Sequence, residues 1–387
     1  MPETPSFDAK ADLPQPKRNA DLAKDVAAMA TDGGVLLYGV SEDDNGSPAI
    51  PSPIALAGVA ERIDQIVAMS IAEVPYIEVR EYPTADDPSV GYVLLVVPQS
   101  DRAPHQVTVG SDLRFYGRGA KANRPLTEGD VARLYERRQS WSVDREKLLD
   151  ETVAGSPIPS TDGLGYIHAF ARPVVPDQSI FERAAEMAGG RQGLHQRFLN
   201  VVNATTLRGE YGPSLERASF WRRYDADTWR LSTTHPDDQD YGTPDSITSS
   251  VVADVDLDGH GRFFCGRATD TRINSPTDPP QIIEVVIAGN LEAFFALMAA
   301  VYNDAGYHGQ IDVGVALTGI RNARSERASR GLSAARGYPS PAFRRHRRVV
   351  ASQLAAADTT SSVLLRDFFE ATTGIQGWDP FTQPENR

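Results

Sequence analysis

The stretch "ATDGGVLLYGVSEDD", Ala30 to Asp44, decides how the first part of this 387-residue chain folds. Two adjacent glycines precede a run of residues that favour β-strands, and the strand ends in acids. Gly33 is predicted to take the left-handed conformation that closes a helix, and Gly34 to let that helix pack closely on the strand. The continuous apolar character of Val35 to Val40 predicts a strand that is buried on both faces.

Helices and strands are predicted on both sides of this stretch. The apolar periodicity predicts helices at 21–31, 57–71 and 127–139, and strands at 35–40, 76–82, 92–97 and 113–117. The chain contains no G-x-x-x-x-G-K-[ST] motif, and the glycine pair precedes its strand, whereas a dinucleotide fingerprint follows one. Nucleotide binding by those two routes is therefore not expected.

A segment rich in glycine, proline, serine and threonine, "ETVAGSPIPSTDG" at 151–163, follows these elements. Such a composition is typical of a domain boundary, and 387 residues exceed one ordinary core. We therefore expect a first domain at 1–142, a linker at 143–163 and a second, α+β domain at 164–387. The expected fold class is α+β, in the sense of a mixed α/β fold.

The composition, 41% hydrophobic and 24% charged, is that of a soluble globular protein. The longest apolar run, "IEVVIAGNLEAFFALMAAVY", is interrupted by Glu284, Asn290 and Glu292, so we expect no membrane span. A single cysteine, Cys265, excludes an internal disulfide and a cysteine-rich zinc site. With no apolar signal at the N-terminus, these features predict a cytoplasmic protein with no membrane partner.

Charge is distributed unevenly along the chain. The net charge of −13 disfavours a generic binder of polyanions, but residues 321–348 contain nine arginines and one acid. Glycine, serine and proline interleave with those arginines, which predicts a mobile loop. Such a loop could clamp RNA or DNA, or it could pair with the acidic segment around 237–258, within the chain or across a dimer. The densest arginines of the tract are Arg344, Arg345, Arg347 and Arg348.

Several motifs occur in a recognisable order. A helix ending in "AAMATDGG" precedes the strand "VLLYGV" and the acids "SEDD", and then come "YVLLVVPQSDRAPH" and "LRFYGRGAKANRPLTEGDVARLYERR". In this order, over about residues 3–140, they resemble the Schlafen AlbA domain, a family of nucleic-acid-binding domains. The family usually has asparagine where this chain has Ala30. The resemblance implies an AlbA-like core domain that binds nucleic acid, with RNA slightly preferred over DNA.

The resemblance extends to the N-terminus. In the animal branch of the family, two acids near the N-terminus and a third after the Gly-Val strand form a metal-dependent ribonuclease site, and cleavage of structured RNA in stress or phage defence, as in related Schlafen-type proteins, is what the resemblance implies here. "ETPSFDAK" places Glu3 and Asp8 at the family spacing, "GVSEDD" offers Glu42, and Lys10 could stabilise the phosphate. The resemblance thus implies an endoribonuclease with Mg²⁺ or Mn²⁺ held by Glu3, Asp8 and Glu42.

Simpler interpretations of these acids remain open. An acid near residue 3 is usually solvated, and acids after a strand usually lie in an exposed turn. Many bacterial relatives of the domain are regarded as binding modules without catalysis. Because Asp8 stands where the family has glutamate, one methylene longer, its side chain reaches less far than the family residue.

The segment "LRFYGRGAKANR" is the main predicted binding element. Phe115 and Tyr116 alternate along a strand, so one ring must point inward and one outward, where it could stack on a base beside arginines. A simpler interpretation of this segment remains open, namely an ordinary strand followed by a solvated basic turn. For His105 the alternative is a turn histidine with a structural hydrogen bond. The residues that we predict to contact nucleic acid in this domain are His105, Arg114, Tyr116, Arg118, Lys121 and Arg124.

A second class of function is compatible with the acidic net charge. The chain could be a regulatory or protein-interaction scaffold that no longer binds nucleic acid and pairs through its charge-segregated second domain.

In animal Schlafens two AlbA-like lobes enclose the substrate, whereas only one such lobe can be identified in this sequence. A homodimer or a diverged second lobe could supply the missing lobe, and of the two we expect the homo-oligomer.

Overall fold

The structure, a computed structural model, has a mixed α+β fold, which confirms the predicted fold class. The chain divides into two compact units, Met1–Val143 and Asp144–Arg387. The residues that the structure describes are 4, 6–42, 48–109, 112–119, 122–174, 189–207, 212–222, 228–234, 243–270, 279–307, 309–329 and 336–375.

The first unit combines short helices with two larger sheets. Its helices are α1 (Asn19–Met29), α2 (Val59–Ser70) and the first part of α3 (Glu128–Ala154), with a 3₁₀ turn at Pro16–Arg18. Its strands are β1 (Phe7–Lys10), β2 (Gly34–Tyr38), β3 (Val40–Glu42), β4 (Pro48–Pro51), β5 (Ile54–Ala55), β6 (Ile71–Ala72), β7 (Glu78–Pro83), β8 (Val90–Val97), β9 (Gln106–Val109), β10 (Asp112–Arg118) and β11 (Asn123–Pro125).

These strands form one sheet in the order β1-β2-β8-β5, with β7 also paired to β8, and a second in the order β11-β10-β9-β6. β1 runs parallel to β2, while the other pairs in these two sheets are antiparallel. A two-stranded ribbon, β3-β4, follows β2. The apolar face of α1, with Leu22 and Val26 fully buried, forms part of the unit's core. Burial of this stripe stabilises a helix that is too short to persist alone.

The glycine pair acts as predicted. Gly33 has a φ of +86°, and its backbone N–H donates to Met29 O at 2.7 Å, which closes α1. A Cβ atom on Gly34 would lie 2.9 Å from Met29 Sδ and 3.1 Å from Ser6 O. A larger residue at position 34 would therefore push the helix and β1 away from β2.

The second unit contains the rest of α3, six further helices among the described residues, a 3₁₀ turn at Leu215–Arg217 and a large sheet. These helices are α4 (Arg191–Ala204), α5 (Pro244–Thr248), α6 (Glu284–Asp304), α7 (Glu326–Ser329), α8 (Ala351–Leu354) and α9 (Ala357–Thr373). Its strands are β12 (Tyr166–Pro173), β13 (Ser219–Arg222), β14 (Thr228–Ser232), β15 (Val251–Asp256), β16 (Gly261–Cys265), β17 (Thr269–Asp270), β18 (Gln281–Ile282), β19 (Gln310–Thr318), β20 (Arg324–Ser325) and β21 (Ala342–Val350).

Seven of these strands form an antiparallel sheet in the order β13-β14-β15-β16-β12-β19-β21, and β17-β18-β20 form a small one. Helix α6 belongs to the core, where Phe294, Phe295 and Met298 are fully buried. Within the described part of the chain, α6 alone is long and apolar enough to cross a membrane, yet 67% of its most apolar window is buried. A core helix of a soluble protein passes the same test of length and composition.

The predicted linker and loop differ from the structure. Helix α3 continues to Ala154, so residues 143–154 are helical, because Leu149 is buried beside Phe170 and Ala316. The arginine-rich tract, predicted to be a mobile loop, contains the edge strand β21, whose residues pair with β19 from Val350↔Gln310 to Ala342↔Thr318. Glycine, serine and proline occur before β21, whereas "AFRRHRRVV" itself contains none of them.

Candidate nucleic-acid interface

A buried charge cluster in the first unit brings together three of the predicted site residues. Asp8 and Lys10 come from β1 and Arg118 from β10. One Arg118 nitrogen lies 2.8 Å from Asp8 Oδ2, and Lys10 Nζ lies 3.3 Å from the same oxygen. Two residues that the sequence analysis missed complete the cluster, Asp25 from α1 and Asn123 from β11.

Asp25 and Asn123 also connect the two cations of the cluster, Lys10 and Arg118. Lys10 Nζ lies 3.4 Å from Asp25 Oδ2, and the Asn123 side-chain amide donates to Asp25 Oδ1 at 2.6 Å. Arg118 also donates to Asn123 Oδ1 at 3.2 Å. Burial raises the pKa of the Asp25 carboxyl, although Lys10 and Asn123 oppose the shift. Burial also disfavours the Lys10 ammonium, but the charges of Asp25 and Asp8 outweigh it and raise the pKa of Lys10.

The cluster is balanced in charge and largely closed to solvent. Two carboxylates face two cations, and the Asp8 and Arg118 side chains are 7% and 8% exposed. One signal could have revealed Asp25, because an acid three residues after Leu22 lies on the apolar face of an amphipathic helix. The position of Asn123 depends on the pairing of β11 with β10, which the sequence does not specify.

Asp8 is poorly placed to bind a metal ion in this arrangement. Its Oδ2 atom contacts both Arg118 and Lys10, whose charges would repel a divalent cation. Glu3 lies outside the described residues, and for Glu42 the structure describes the backbone in β3 but not the side chain. Across the described ranges, no group of three or more His, Cys, Asp or Glu side chains is arranged to hold a metal.

Two of the predicted contact residues are buried. Tyr116 is 7% exposed, and Lys24 Nζ lies 5.3 Å from its ring centroid, so the inward ring is Tyr116. His105 is 1% exposed, and its Nδ1 lies 2.5 Å from Glu73 O. Burial lowers the pKa of His105. The structure buries these two side chains rather than exposing them to a polyanion, so they do not belong to the exposed surface of this unit.

The sheet of β9, β10 and β11 has a second, outward face. Residues directly opposite one another share a face, and the register pairs Leu113 with Thr108, Phe115 with Gln106, and Gly117 with Arg124. Leu113 is 62% exposed, and Phe115 is half-buried. We call this surface the outward face; it is formed by Gln106, Thr108, Leu113, Phe115 and Arg124.

The remaining predicted cations of this unit differ in their positions. Arg124 belongs to the outward face and is exposed, and its guanidinium lies 2.8 Å from Asp130 Oδ2. Arg114 is exposed as well, although it alternates to the side that carries Tyr116. Arg118 lies in the buried charge cluster, and Lys121 falls outside the described residues. Arg114 and Arg124 are therefore the predicted cations that the structure leaves at the surface of this unit.

The arginines of β21 in the second unit are largely paired with acids. Arg344 lies 2.8 Å from Glu146 and 2.6 Å from Asp150. Arg345 lies 2.8 Å from Asp367.

Arg348 makes two hydrogen bonds of 2.8 Å to the buried Asp312, while Arg347 is exposed. The described partners of Arg344, Arg345 and Arg348 lie outside the predicted acidic segment 237–258, because α3, β19 and α9 bring other acids to the strand. Internal pairing therefore occupies three of the four arginines that were predicted to clamp nucleic acid.

Comparison with known proteins adds no relative. No protein-family model matches the chain, and no curated protein matches it. The Schlafen AlbA resemblance therefore rests on the motifs of the sequence.

Proposed function

We propose that the first unit binds nucleic acid at its outward face, with single-stranded RNA preferred over DNA. One observation carries the proposal: the alternation of β10 directs Phe115 and the exposed Leu113 outward while Tyr116 and Arg118 are buried. The face thus combines an aromatic ring with apolar and cationic neighbours, which are the parts that a single strand requires.

Each part of the face has a physical role in such binding. An aromatic ring stacks on any base and contributes about 1–3 kcal/mol per base. Arg124, on the neighbouring strand, can donate hydrogen bonds to phosphate oxygens in addition to its contact with Asp130, whereas the exposed Arg114 lies on the other side of β10. Residues 101–143 contain eight Lys and Arg against five Asp and Glu, so this segment is locally basic within an acidic chain. Stacking requires unpaired bases, which favours a single strand over a duplex.

Binding requires fewer assumptions than cleavage. The Asp8 carboxylate is already neutralised by Arg118 and Lys10, so a metal site there would need those contacts to break. We therefore propose a binding protein, and metal-dependent cleavage is an outcome that the experiment distinguishes. The competing class is a scaffold without affinity for nucleic acid, which the internal pairing of the β21 arginines favours for the second unit.

Fluorescence anisotropy with labelled single-stranded RNA and DNA tests the proposal. We expect Phe115→Ala to weaken RNA binding by about tenfold, as loss of one stacked base predicts. The matched control is Tyr82→Ala, an aromatic residue on β7 that is 48% exposed and lies in a different sheet. This control should bind RNA like the wild type.

A second pair of variants tests the cations. Arg124→Ala should weaken binding, whereas Arg18→Ala should not, although each arginine is exposed and pairs with an aspartate, Asp130 or Asp21. Equal affinity of wild type, Phe115→Ala and Arg124→Ala would overturn the proposed face, and no binding at all would favour the scaffold. Incubation with Mn²⁺ or EDTA completes the test, since metal-dependent products that disappear in Glu42→Ala would establish a nuclease.

A further inference from the structure

The second unit contains an open cleft that the proposed function does not use. Its volume is about 670 Å³, and it lies beside the Gly212–Pro213 peptide, between the 3₁₀ turn at Leu215–Arg217 and α5. The side chains that give it chemical character are Ser214, Arg217, Thr233, Asp245, Ser249 and Arg267. The cleft is polar and contains two arginines.

The two arginines have different surroundings. The terminal nitrogens of Arg267 donate to Gly212 O at 2.8 Å and to Asp270 at 2.5 Å, so its guanidinium is held in one orientation. Arg217 is exposed, and within the described part of the chain no ion pair is recorded for it. The Arg217 guanidinium lies beside Gly212, because a Cβ atom there would be in ordinary van der Waals contact, 3.5 Å, with one of its terminal nitrogens. Arg267, whose charge Asp270 compensates, and Arg217, which has no ion pair within the described part of the chain, thus share the cleft with Asp245.

The wall of the cleft also has unused hydrogen-bonding capacity. Ser214 is 1% exposed, and its Oγ has no hydrogen-bond partner among the residues that the structure describes. The same holds for Arg267 Nε. A buried polar atom without a partner costs about 1–3 kcal/mol, so a bound group that supplies one would be favoured. The unpartnered Ser214 Oγ and Arg267 Nε, in a cleft with two arginines, indicate that the cleft binds an oxygen-rich anion.

Size and chemistry together define the class of ligand. A cleft of about 670 Å³ lies in the range of small-molecule sites and exceeds what a bare inorganic anion fills. Planar guanidinium groups bind phosphate oxygens in pairs, whereas the exposed Asp245 on the wall accepts hydrogen bonds from sugar hydroxyls or base N–H groups. We propose that this cleft binds a phosphate monoester of the size of a mononucleotide, with the phosphate at Arg217 and Arg267 and the polar body towards Asp245.

Isothermal titration calorimetry on the full chain tests the proposal, with the four nucleoside monophosphates, the matching nucleosides and inorganic phosphate as probes. We expect at least one monophosphate to bind, and its nucleoside to bind at least tenfold more weakly. Arg217→Ala should reduce monophosphate affinity about tenfold, because a hydrogen bond to a charged group is worth about 1.5–3 kcal/mol. Arg217 is exposed, so the variant should fold, and far-UV circular dichroism checks this.

The control variant is Arg366→Ala, which removes an exposed arginine from α9 that lies outside the cleft. It should bind the monophosphate like the wild type, and so should Phe115→Ala, which separates this cleft from the outward face. The proposal is overturned if no monophosphate binds, if Arg217→Ala binds as well as Arg366→Ala, or if inorganic phosphate binds as tightly as the best monophosphate.

Discussion

Burial determines what individual charged residues of the first unit can do. Asp8, Lys10 and Arg118 were predicted to act on a nucleic acid, yet they neutralise one another together with Asp25. Removing charges from water is costly, and such a cluster holds together only while each charge keeps its partners. At the scale of the residue, these side chains are therefore expected to stabilise the fold rather than to contact a ligand.

Replacement of Asp8 tests this structural role. Asp8→Ala leaves Arg118 and Lys10 with one fewer carboxylate, and we expect it to lower the free energy of unfolding by about 3–5 kcal/mol. Asp64→Ala, which removes an exposed acid from α2, should change it by no more than about 0.5 kcal/mol. Urea titrations followed by circular dichroism measure both. If Asp8→Ala is as stable as Asp64→Ala, Asp8 is available for other chemistry, metal binding included.

At the scale of the element, β21 shows how an arginine-rich sequence can form a strand. Alternation directs Arg344, His346 and Arg348 to one side and Phe343, Arg345 and Arg347 to the other. Pairing with β19 and the acids of neighbouring elements then compensates the charge. Consecutive arginines in a strand can therefore have very different roles.

Arg347 and Arg348 form a natural pair for testing this arrangement. Arg348→Ala removes both hydrogen bonds to the buried Asp312, which keeps Arg145 at 3.5 Å as a second cationic partner, and we expect a loss of about 1.5–3 kcal/mol in the free energy of unfolding. Arg347→Ala removes an exposed side chain and should cost no more than about 0.5 kcal/mol. Thermal and urea unfolding of the two variants provide the comparison. Equal stabilities would show that the Arg348–Asp312 pair does not hold the strand.

Local signals in the sequence predicted part of the fold and of the site. The glycine pair, α1 and β2 follow from backbone conformation and apolar periodicity, and they match the structure within a few residues. Alternation predicted that one of Phe115 and Tyr116 is buried, but not which one, because that depends on which face of β10 meets α1. Arg118, which pairs with Asp8, and Asp312, which pairs with Arg348, come from distant segments, and such long-range pairing leaves no local pattern.

At the scale of the whole molecule, the net charge does not show where the cations that a ligand could contact are located. The chain carries −13, and three of the four arginines of β21 in the second unit are paired with internal acids. The cations expected to meet a ligand are instead a few exposed residues, namely Arg124 in the first unit and Arg217 in the second. An acidic protein can bind a polyanion when a few such cations lie beside a stacking surface.

The salt dependence of RNA binding tests this account most directly. If phosphate contacts at the outward face carry binding, the logarithm of the association constant should fall linearly with the logarithm of salt concentration, by about 0.7 per phosphate contact on a single strand. Arg124→Ala should reduce that slope by about 0.7, whereas Arg114→Ala, on the other side of β10, and Arg18→Ala should leave it unchanged. A slope near zero in the wild type, or one that all three variants share, would contradict the proposal that this face binds nucleic acid.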